Sequence, residues 1–143
     1  MDRKTTVFTR VQDLYQKSDT KMGGWMWDNL VQWVADKALI LTEKYKANTE
    51  KVYCAALLHD LGDTRYERGD REFASWSEEK GKEILVQAEF SDEEAAEIIE
   101  TIIRPHSCRP GNLPTTVEGK VLATADGMFH LQTSFFSNVV PHE

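Results

Sequence analysis

The sequence reads Ala-Ala-Leu-Leu-His-Asp-Leu-Gly-Asp from Ala55 to Asp63. Its apolar first half predicts a buried helical turn, and Gly62 is a usual helix terminator. His59 and Asp60 are therefore expected side by side at the carboxyl end of a helix. Burying an ionised carboxylate among aliphatic side chains is costly unless a partner compensates its charge. A divalent cation suits this pair, because Mn, Fe, Co, Ni and Zn all accept imidazole nitrogen together with carboxylate oxygen.

Asp63 lies three residues after Asp60. It is predicted to face the same pocket, as a group that orients a ligand or transfers a proton. A single His-Asp pair also occurs by chance at solvated helix ends, and a short motif alone specifies function loosely. The rest of the chain must separate these two interpretations.

Apolar residues recur at helical spacing almost throughout the chain, and no segment sustains the alternation typical of a strand. A first helix carries Val7, Phe8, Val11, Leu14 and Tyr15, and a loop over 17–24 follows it. Three further helices are predicted from apolar spacing, at about 26–46, 71–88 and 116–136. Two more are predicted from their start signals: one runs from an N-cap at Asn48 to about residue 61, and the other begins at a capping box at 91–94. Loops are predicted at 63–70 and in the proline-containing segment 105–114. The sequence therefore predicts an all-α helical bundle of about six helices.

Composition limits the classes of protein and partner. The chain has 143 residues, 41% of them hydrophobic, with 24 acidic residues, 17 basic residues and a formal net charge of −7. This length predicts a single domain over 1–143, with an N-terminal helix and loop at 1–24 and the core of the bundle at 25–138. The negative charge argues against nucleic acid and membrane surfaces as partners, because both would repel the protein. A small phosphorylated molecule needs only a local positive patch.

The cellular location is also constrained. Cys54 and Cys108 form no disulfide framework, and the polar start of the chain does not resemble a signal peptide. The apolar runs are too short to span a bilayer. We therefore expect a cytoplasmic protein, and the sequence leaves open whether it forms a homo-oligomer.

Two further blocks of sequence join the His-Asp pair in a more specific pattern. One reads Ile-Ile-Arg-Pro-His-Ser at 102–107, and the other runs from Thr116 to an Ala-Asp pair that ends at Asp126. In order and spacing, the blocks resemble the HD-domain superfamily of metal-dependent phosphohydrolases, whose H…HD…D pattern is spread over a helical bundle. The resemblance covers about 30–136.

This resemblance implies a divalent metal ion (Mn, Mg, Fe, Co, Ni or Zn) held by His59, Asp60 and Asp126. It also implies that His106 faces the pocket, where it binds a second metal ion or a substrate phosphate. The implied activity is hydrolysis of a phosphate ester or anhydride of a nucleotide or other small molecule, with the metal acting as Lewis acid and generating hydroxide from water. Asp60 and Asp63 are the predicted catalytic carboxylates.

Several basic side chains are candidates for contact with the substrate phosphate. Arg104 and Arg109 are predicted to bind it together with His106. The other candidates are Arg65, Arg68, Arg71 and Lys120. Most loop arginines of an acidic protein are solvated, so we expect only one or two of these side chains to matter.

The chain departs from the family pattern at its first position. The family's first His lies on the helix before the HD helix, and counting back 29 positions from His59 reaches Leu30. Val34 and Ala38 then fall where the family has apolar residues, and no His precedes His59. A register one turn earlier places Trp27 in this position. The alternative function is therefore a catalytically degenerate HD domain that serves as a ligand-binding or regulatory module.

Replacing the residue in the first ligand position tests this register. If Leu30 lies on the site, Leu30→His should tighten metal binding, measured by titration calorimetry, because it supplies the missing imidazole. Unchanged affinity would show that Leu30 does not lie on the site. Asp28 and Asn29 offer oxygen donors nearby, but both are predicted to point away from the stripe formed by Leu30, Val34 and Ala38.

Other chemically notable residues are assigned structural roles. His130 lies four residues after Asp126 on the same helical face, and packing at the end of the helix is the favoured interpretation. Cys54 is predicted to be a small buried hydrophobe, whereas Cys108, in a loop, is the more reactive thiol of the two. The tryptophans are predicted to pack in the core or at its rim: Trp25, Trp27, Trp33 and Trp76.

Overall fold

A computed structural model describes residues 1–132, which form six helices joined by turns and loops and contain no strand. The prediction of an all-α bundle is therefore confirmed. Helix α1 is Arg3–Gln16, α2 covers 23–45, α3 is Thr49–Leu58, α4 is Phe73–Gln87, α5 is Asp92–Ile98 with a π-helical continuation Ile99–Ile103, and α6 is Val117–Gln132. Two 3₁₀ segments, Leu61–Thr64 and Arg104–Ser107, follow α3 and α5. None of the described helices has both the length and the apolar character needed to cross a membrane.

Side-chain caps begin three of these helices. Oδ1 of Asp2 accepts from the backbone N–H of Thr5 at 2.7 Å at the start of α1, and Oδ1 of Asn48 accepts from that of Lys51 at 3.0 Å at the start of α3. Ser91 and Glu94 form a reciprocal capping box at the start of α5. The caps predicted at Asn48 and Ser91 are thus confirmed, and each satisfies an amide that a helix N-terminus leaves unpaired.

Helix α3 is embedded in the core, in contact with α1, α2 and α6. All of its residues from Cys54 to Leu58 are inaccessible to solvent, as is Val52. Because burial of each aliphatic side chain contributes on the order of 1.5–3 kcal/mol, the end of α3 is firmly held. His59 and Asp60 follow directly on this anchored helix. The hydroxyl of Tyr15 on α1 also donates to the backbone oxygen of Asp60 at 3.2 Å.

The observed boundaries differ from the predicted ones mainly where the helical hydrogen-bond pattern changes. Helix α2 already begins at residue 23, three residues early, and it contains a π-helical segment, Met26–Val31, between Gly23–Trp25 and Gln32–Tyr45. The first residues of the loop predicted at 63–70 belong instead to the 3₁₀ segment Leu61–Thr64. Apolar spacing locates helices but does not reveal such local changes of pitch. The predicted helical residues 133–136 lie outside the described residues.

Candidate metal centre

His59 sits at the end of α3 with its side chain inaccessible to solvent. Its Nδ1 lies 2.6 Å from the backbone oxygen of Ala56. A carbonyl oxygen can only accept a hydrogen bond, so Nδ1 must carry a proton and Nε2 carries the lone pair of the neutral ring. The backbone therefore selects the tautomer that binds a metal through Nε2.

His106 repeats this arrangement from a different part of the chain. It lies in the 3₁₀ segment that follows α5, and its Nδ1 donates to the backbone oxygen of Ile103. The His106 and His59 rings meet edge to face with centroids 5.0 Å apart. Both imidazoles thus present Nε2 to the same space, each oriented by the carbonyl three residues before it.

Asp126 on α6 completes a cluster of three potential ligands. Its Oδ1 lies 3.4 Å from Nε2 of His59. One ligand atom each from His59, His106 and Asp126 can be chosen such that all three lie within 4.8 Å of one another. Three segments distant in sequence therefore bring two imidazoles and a carboxylate together.

Two buried polar atoms of the cluster lack hydrogen-bond partners among the described residues, and this arrangement fits a divalent cation. Nε2 of His59 and Oδ1 of Asp126 are both buried, and neither makes a hydrogen bond with any residue in 1–132. A buried polar atom without a partner costs about 1–3 kcal/mol, so each such atom requires an explanation. Two imidazole nitrogens and a carboxylate oxygen form a donor set suited to Zn, Fe, Co or Ni. The two atoms face each other at 3.4 Å without a hydrogen bond, and a cation between them would give a partner to both.

The charges of the cluster are strongly coupled. Burial lowers the pKa of His59, but the neighbouring Asp60 and Asp126 carboxylates outweigh burial and raise this pKa well above its usual range. Burial raises the pKa of Asp126, but His130 and His59 outweigh it and hold this pKa below its usual value. The site therefore favours a positive charge between its carboxylates.

Asp60 lies beside the cluster and also contacts an arginine. Its Oδ2 is 3.2 Å from Nε2 of His59 and accepts from Nη2 of Arg68 at 3.0 Å, while its Oδ1 is 3.7 Å from Nε2 of His106. Burial raises the pKa of Asp60, but His59 and Arg68 outweigh it and lower this pKa well below its usual range. Asp60 is thus an ionised carboxylate shared between the two histidines and Arg68.

Asp63 was predicted to face the pocket, but it does not. Only 1% of the residue is exposed, and its two carboxylate oxygens accept from Nε and Nη2 of Arg68 at 2.9 and 2.7 Å. The reason is the 3₁₀ turn after α3, which directs Asp63 into the protein, where Arg68 covers it. Burial raises the pKa of Asp63, although Arg68 opposes this change.

A pocket of about 840 Å³ opens above the cluster. The predicted phosphate contacts Arg104 and Arg109 line it, with Arg68, Arg71 and His106. Arg104 is already paired, with Nη2 2.8 Å from Oε1 of Glu78.

Two of the basic candidates lie elsewhere. The guanidinium of Arg65 packs over the rings of Tyr66 and Trp76. Lys120 lines a separate pocket with Leu41 and Tyr45. Neither side chain lines the pocket above the cluster, so neither is a candidate for contact with the substrate phosphate.

No imidazole approaches the cluster from α2. Leu30 is fully buried in the hydrophobic core, and Trp27 stacks on Tyr15, with ring centroids 5.5 Å apart. Met26, which begins the π-helical segment, instead places its Sδ 3.8 Å from Nη2 of Arg68. Asp28 and Asn29 are exposed, as predicted. At its contact with Arg68, helix α2 therefore presents a thioether.

Some residues at the pocket were not assigned to it from the sequence. His130 lines the pocket, with its Nε2 3.6 Å from Oδ1 of Asp126, so packing alone does not describe it. The spacing of four residues from Asp126 was the signal that pointed there. The contact between Arg68 and Asp60 had no comparable signal. Cys54 is buried, as predicted, and Cys108 is exposed at the pocket.

Comparison with known proteins gives a family match over more than half of the chain. Residues 31–128 match the family model of the HD domain. No curated protein and no solved structure gives a significant match to the chain. The matched region contains His59, Asp60, His106 and Asp126.

Proposed function

The chain belongs to the HD domain family, and from this membership and the geometry of the pocket we propose that it is a metal-dependent phosphohydrolase acting on a small phosphate ester or anhydride, such as a nucleotide. The observation that carries the proposal is the convergence of His59, His106 and Asp126 beneath an arginine-lined pocket. The HD family is in general one of metal-dependent phosphohydrolases.

In this proposal, His59, His106 and Asp126 hold the metal ion. Asp60, which the resemblance implies as a further ligand, lies beside them with its oxygens 3.2 Å from Nε2 of His59 and 3.7 Å from Nε2 of His106. A divalent ion bound there would supply Lewis acidity toward a phosphoryl oxygen and lower the pKa of a bound water. Two roles were predicted for His106, binding of a second metal ion or of a substrate phosphate. The proposal makes it a ligand of the same ion as His59, because its Nε2 is oriented toward the cluster by the carbonyl of Ile103.

The arginines of the pocket would bind and orient the substrate phosphate. Arg109 and Arg71 are exposed and line the pocket, so their guanidinium groups are available to a phosphate. Arg104 is held at the pocket by Glu78, which fixes its position but also shares its charge. The net charge of −7 makes this local positive patch the main attraction for a phosphorylated substrate.

Asp126→Asn tests the proposed activity. We expect hydrolysis of p-nitrophenyl phosphate and of a panel of nucleotides, assayed with Zn, Co or Mn, to fall at least ~100-fold, because the substitution removes the only carboxylate among the three proposed ligands. Asp28→Asn is the matched control, since it makes the same chemical change at an exposed position on α2 and should leave activity unchanged. Equal activity of the Asp126→Asn variant and the unmodified protein would contradict the proposal.

The alternative is that the domain binds a ligand without catalysis. The observation that favours it is the absence of an imidazole on α2 together with the engagement of Asp60 by Arg68. A protein that binds metal at the cluster but hydrolyses no member of the panel would support this alternative. Release of inorganic phosphate by the metal-loaded protein, abolished in Asp126→Asn, would exclude it.

A further inference from the structure

The guanidinium of Arg68 is held in place by three residues at the pocket. Its Nε and Nη2 donate to the two carboxylate oxygens of Asp63 at 2.9 and 2.7 Å, and Nη2 also donates to Oδ2 of Asp60 at 3.0 Å. The guanidinium carbon lies 5.8 Å from the centre of the Phe73 ring. Because a two-point pair with a carboxylate fixes the orientation of a guanidinium as well as its position, Arg68 is restrained before any ligand arrives.

Part of this guanidinium remains available to a ligand. A guanidinium has five N–H donors, and the hydrogen bonds to Asp63 and Asp60 use the one on Nε and both on Nη2. The two donors on Nη1 make no hydrogen bond with any residue in 1–132. The Arg68 side chain is 36% exposed and lines the pocket above the cluster. Two N–H groups of a fixed cation are therefore free to bind a ligand that enters this pocket.

Arg68 also lies closer to the cluster than its sequence position in a loop suggests. It binds Oδ2 of Asp60, which is 3.2 Å from Nε2 of His59, so a single carboxylate separates the guanidinium from that imidazole. Oδ1 of Asp60 is not bound to Arg68 and lies 3.7 Å from Nε2 of His106, where a metal ion can use it. Among the hydrogen bonds of residues 1–132, those of the Arg104 guanidinium reach Glu78 instead.

The charge of the site favours a phosphate contact at Arg68. The carboxylates of Asp60, Asp63 and Asp126 lie in or beside the cluster, so a dication alone would leave an excess of negative charge, which would repel a phosphate. The guanidinium offsets this excess. Preorganised N–H donors on a cation, next to a metal ion, are an arrangement that stabilises the charge on phosphoryl oxygens.

We propose that Arg68 binds, through Nη1, the phosphoryl group on which the metal ion acts. The inference rests on the proposed function and assigns a catalytic residue to it. Arg104 and Arg109, the phosphate contacts predicted from the sequence, and Arg71 would then contact other parts of the substrate, since they line the same pocket.

The test compares binding of inorganic phosphate by two Co²⁺-loaded variants, Asp63→Asn and Asp63→Asn/Arg68→Gln. The first substitution removes the charge of Asp63, so loss of the guanidinium leaves no unpaired charge there, and the amide introduced at position 68 can still donate to Asp60. With equal bound Co²⁺, we expect calorimetric titration to show at least ~10-fold weaker phosphate binding by the double variant, because it lacks hydrogen bonds between two charged groups. Asp63→Asn/Arg68→Lys keeps the positive charge and should recover most of the lost affinity.

Asp63→Asn/Arg65→Gln is the matched control. It makes the same change three residues away, where the guanidinium packs over the rings of Tyr66 and Trp76, and it should leave phosphate affinity as in the single variant. Circular dichroism establishes that each variant is folded. A folded, Co²⁺-loaded Arg68→Gln double variant that binds phosphate as tightly as the single variant would overturn the assignment of Arg68.

A second measurement uses the unmodified protein and so does not depend on the folding of a variant. Addition of inorganic phosphate to the Zn²⁺-loaded protein should shift the nuclear magnetic resonance signals of the Arg68 guanidinium, and unshifted signals at saturating phosphate would contradict the inference. A protein that binds phosphate through Arg68 but hydrolyses no member of the substrate panel would instead contradict the proposed function alone. The two failures are therefore distinguishable.

Discussion

Replacing His59 by Ala should lower the affinity of the protein for Zn²⁺ or Co²⁺ at least ~100-fold, since loss of even an outer-shell partner of a metal ligand typically costs roughly 10–100-fold. The His59 side chain is inaccessible, and its Nδ1–H is fixed on the carbonyl of Ala56, so no solvent-exposed group can readily take its place. The affinity is measured by calorimetric titration of metal-free protein. Circular dichroism establishes that the variant is folded.

Two further variants accompany this measurement. His106→Ala removes the second imidazole, whose side chain is 17% exposed, and should weaken binding at least ~10-fold with a smaller effect on packing. Cys108→Ala, at an exposed thiol that also lines the pocket, should leave the affinity unchanged. Undiminished Zn²⁺ affinity in both histidine variants would place the ion elsewhere.

Gly119→Ala should destabilise the fold by about 1–3 kcal/mol, as expected for overpacking in a closely packed interface. A Cβ at this position of α6 would overlap the carbonyl oxygen of Thr101 in the π-helical end of α5, and backbone at that point cannot rotate away. Helix α6 would have to move, and it carries Asp126. Thermal or denaturant unfolding of metal-free protein measures the effect.

Gly127→Ala on the same helix is the control, and it should change the stability of the fold in the opposite direction. A Cβ there has open space around it, so the substitution should stabilise α6 by up to ~1 kcal/mol through the higher helix propensity of Ala. Equal destabilisation by both substitutions would show that the close approach of α6 to Thr101 is not what limits position 119.

The sequence predicts the helices well because apolar spacing and caps are local signals. Asn48 and Ser91 mark helix starts through side-chain oxygens that accept from backbone amides three residues later, and these contacts are observed. The segment from Cys54 to Leu58 is apolar on every face, which predicts burial of the helix that leads to His59. The same signals do not show that Met26–Val31 is π-helical, because this depends on packing between helices.

The sequence predicts which residues belong to the candidate site better than it predicts what each of them does. The resemblance to the HD superfamily, which the order of the sequence blocks carries, implies that His59, His106 and Asp126 face one pocket, and the structure brings them together. It does not show that Asp63 turns inward or that Arg68 binds both Asp60 and Asp63, because a loop arginine carries no periodicity that would locate its side chain. The tautomers of the two histidines likewise depend on backbone carbonyls that only the fold positions.

The central claim is that His59, His106 and Asp126 share one divalent cation. Anomalous diffraction at the zinc edge from crystals grown with Zn²⁺ tests it most directly. We predict a single strong peak in the pocket at about 2.0–2.2 Å from Nε2 of both histidines and from a carboxylate oxygen of Asp126. A zinc-replete crystal with no peak among these three side chains, or with Zn²⁺ bound only at other residues, would contradict the account.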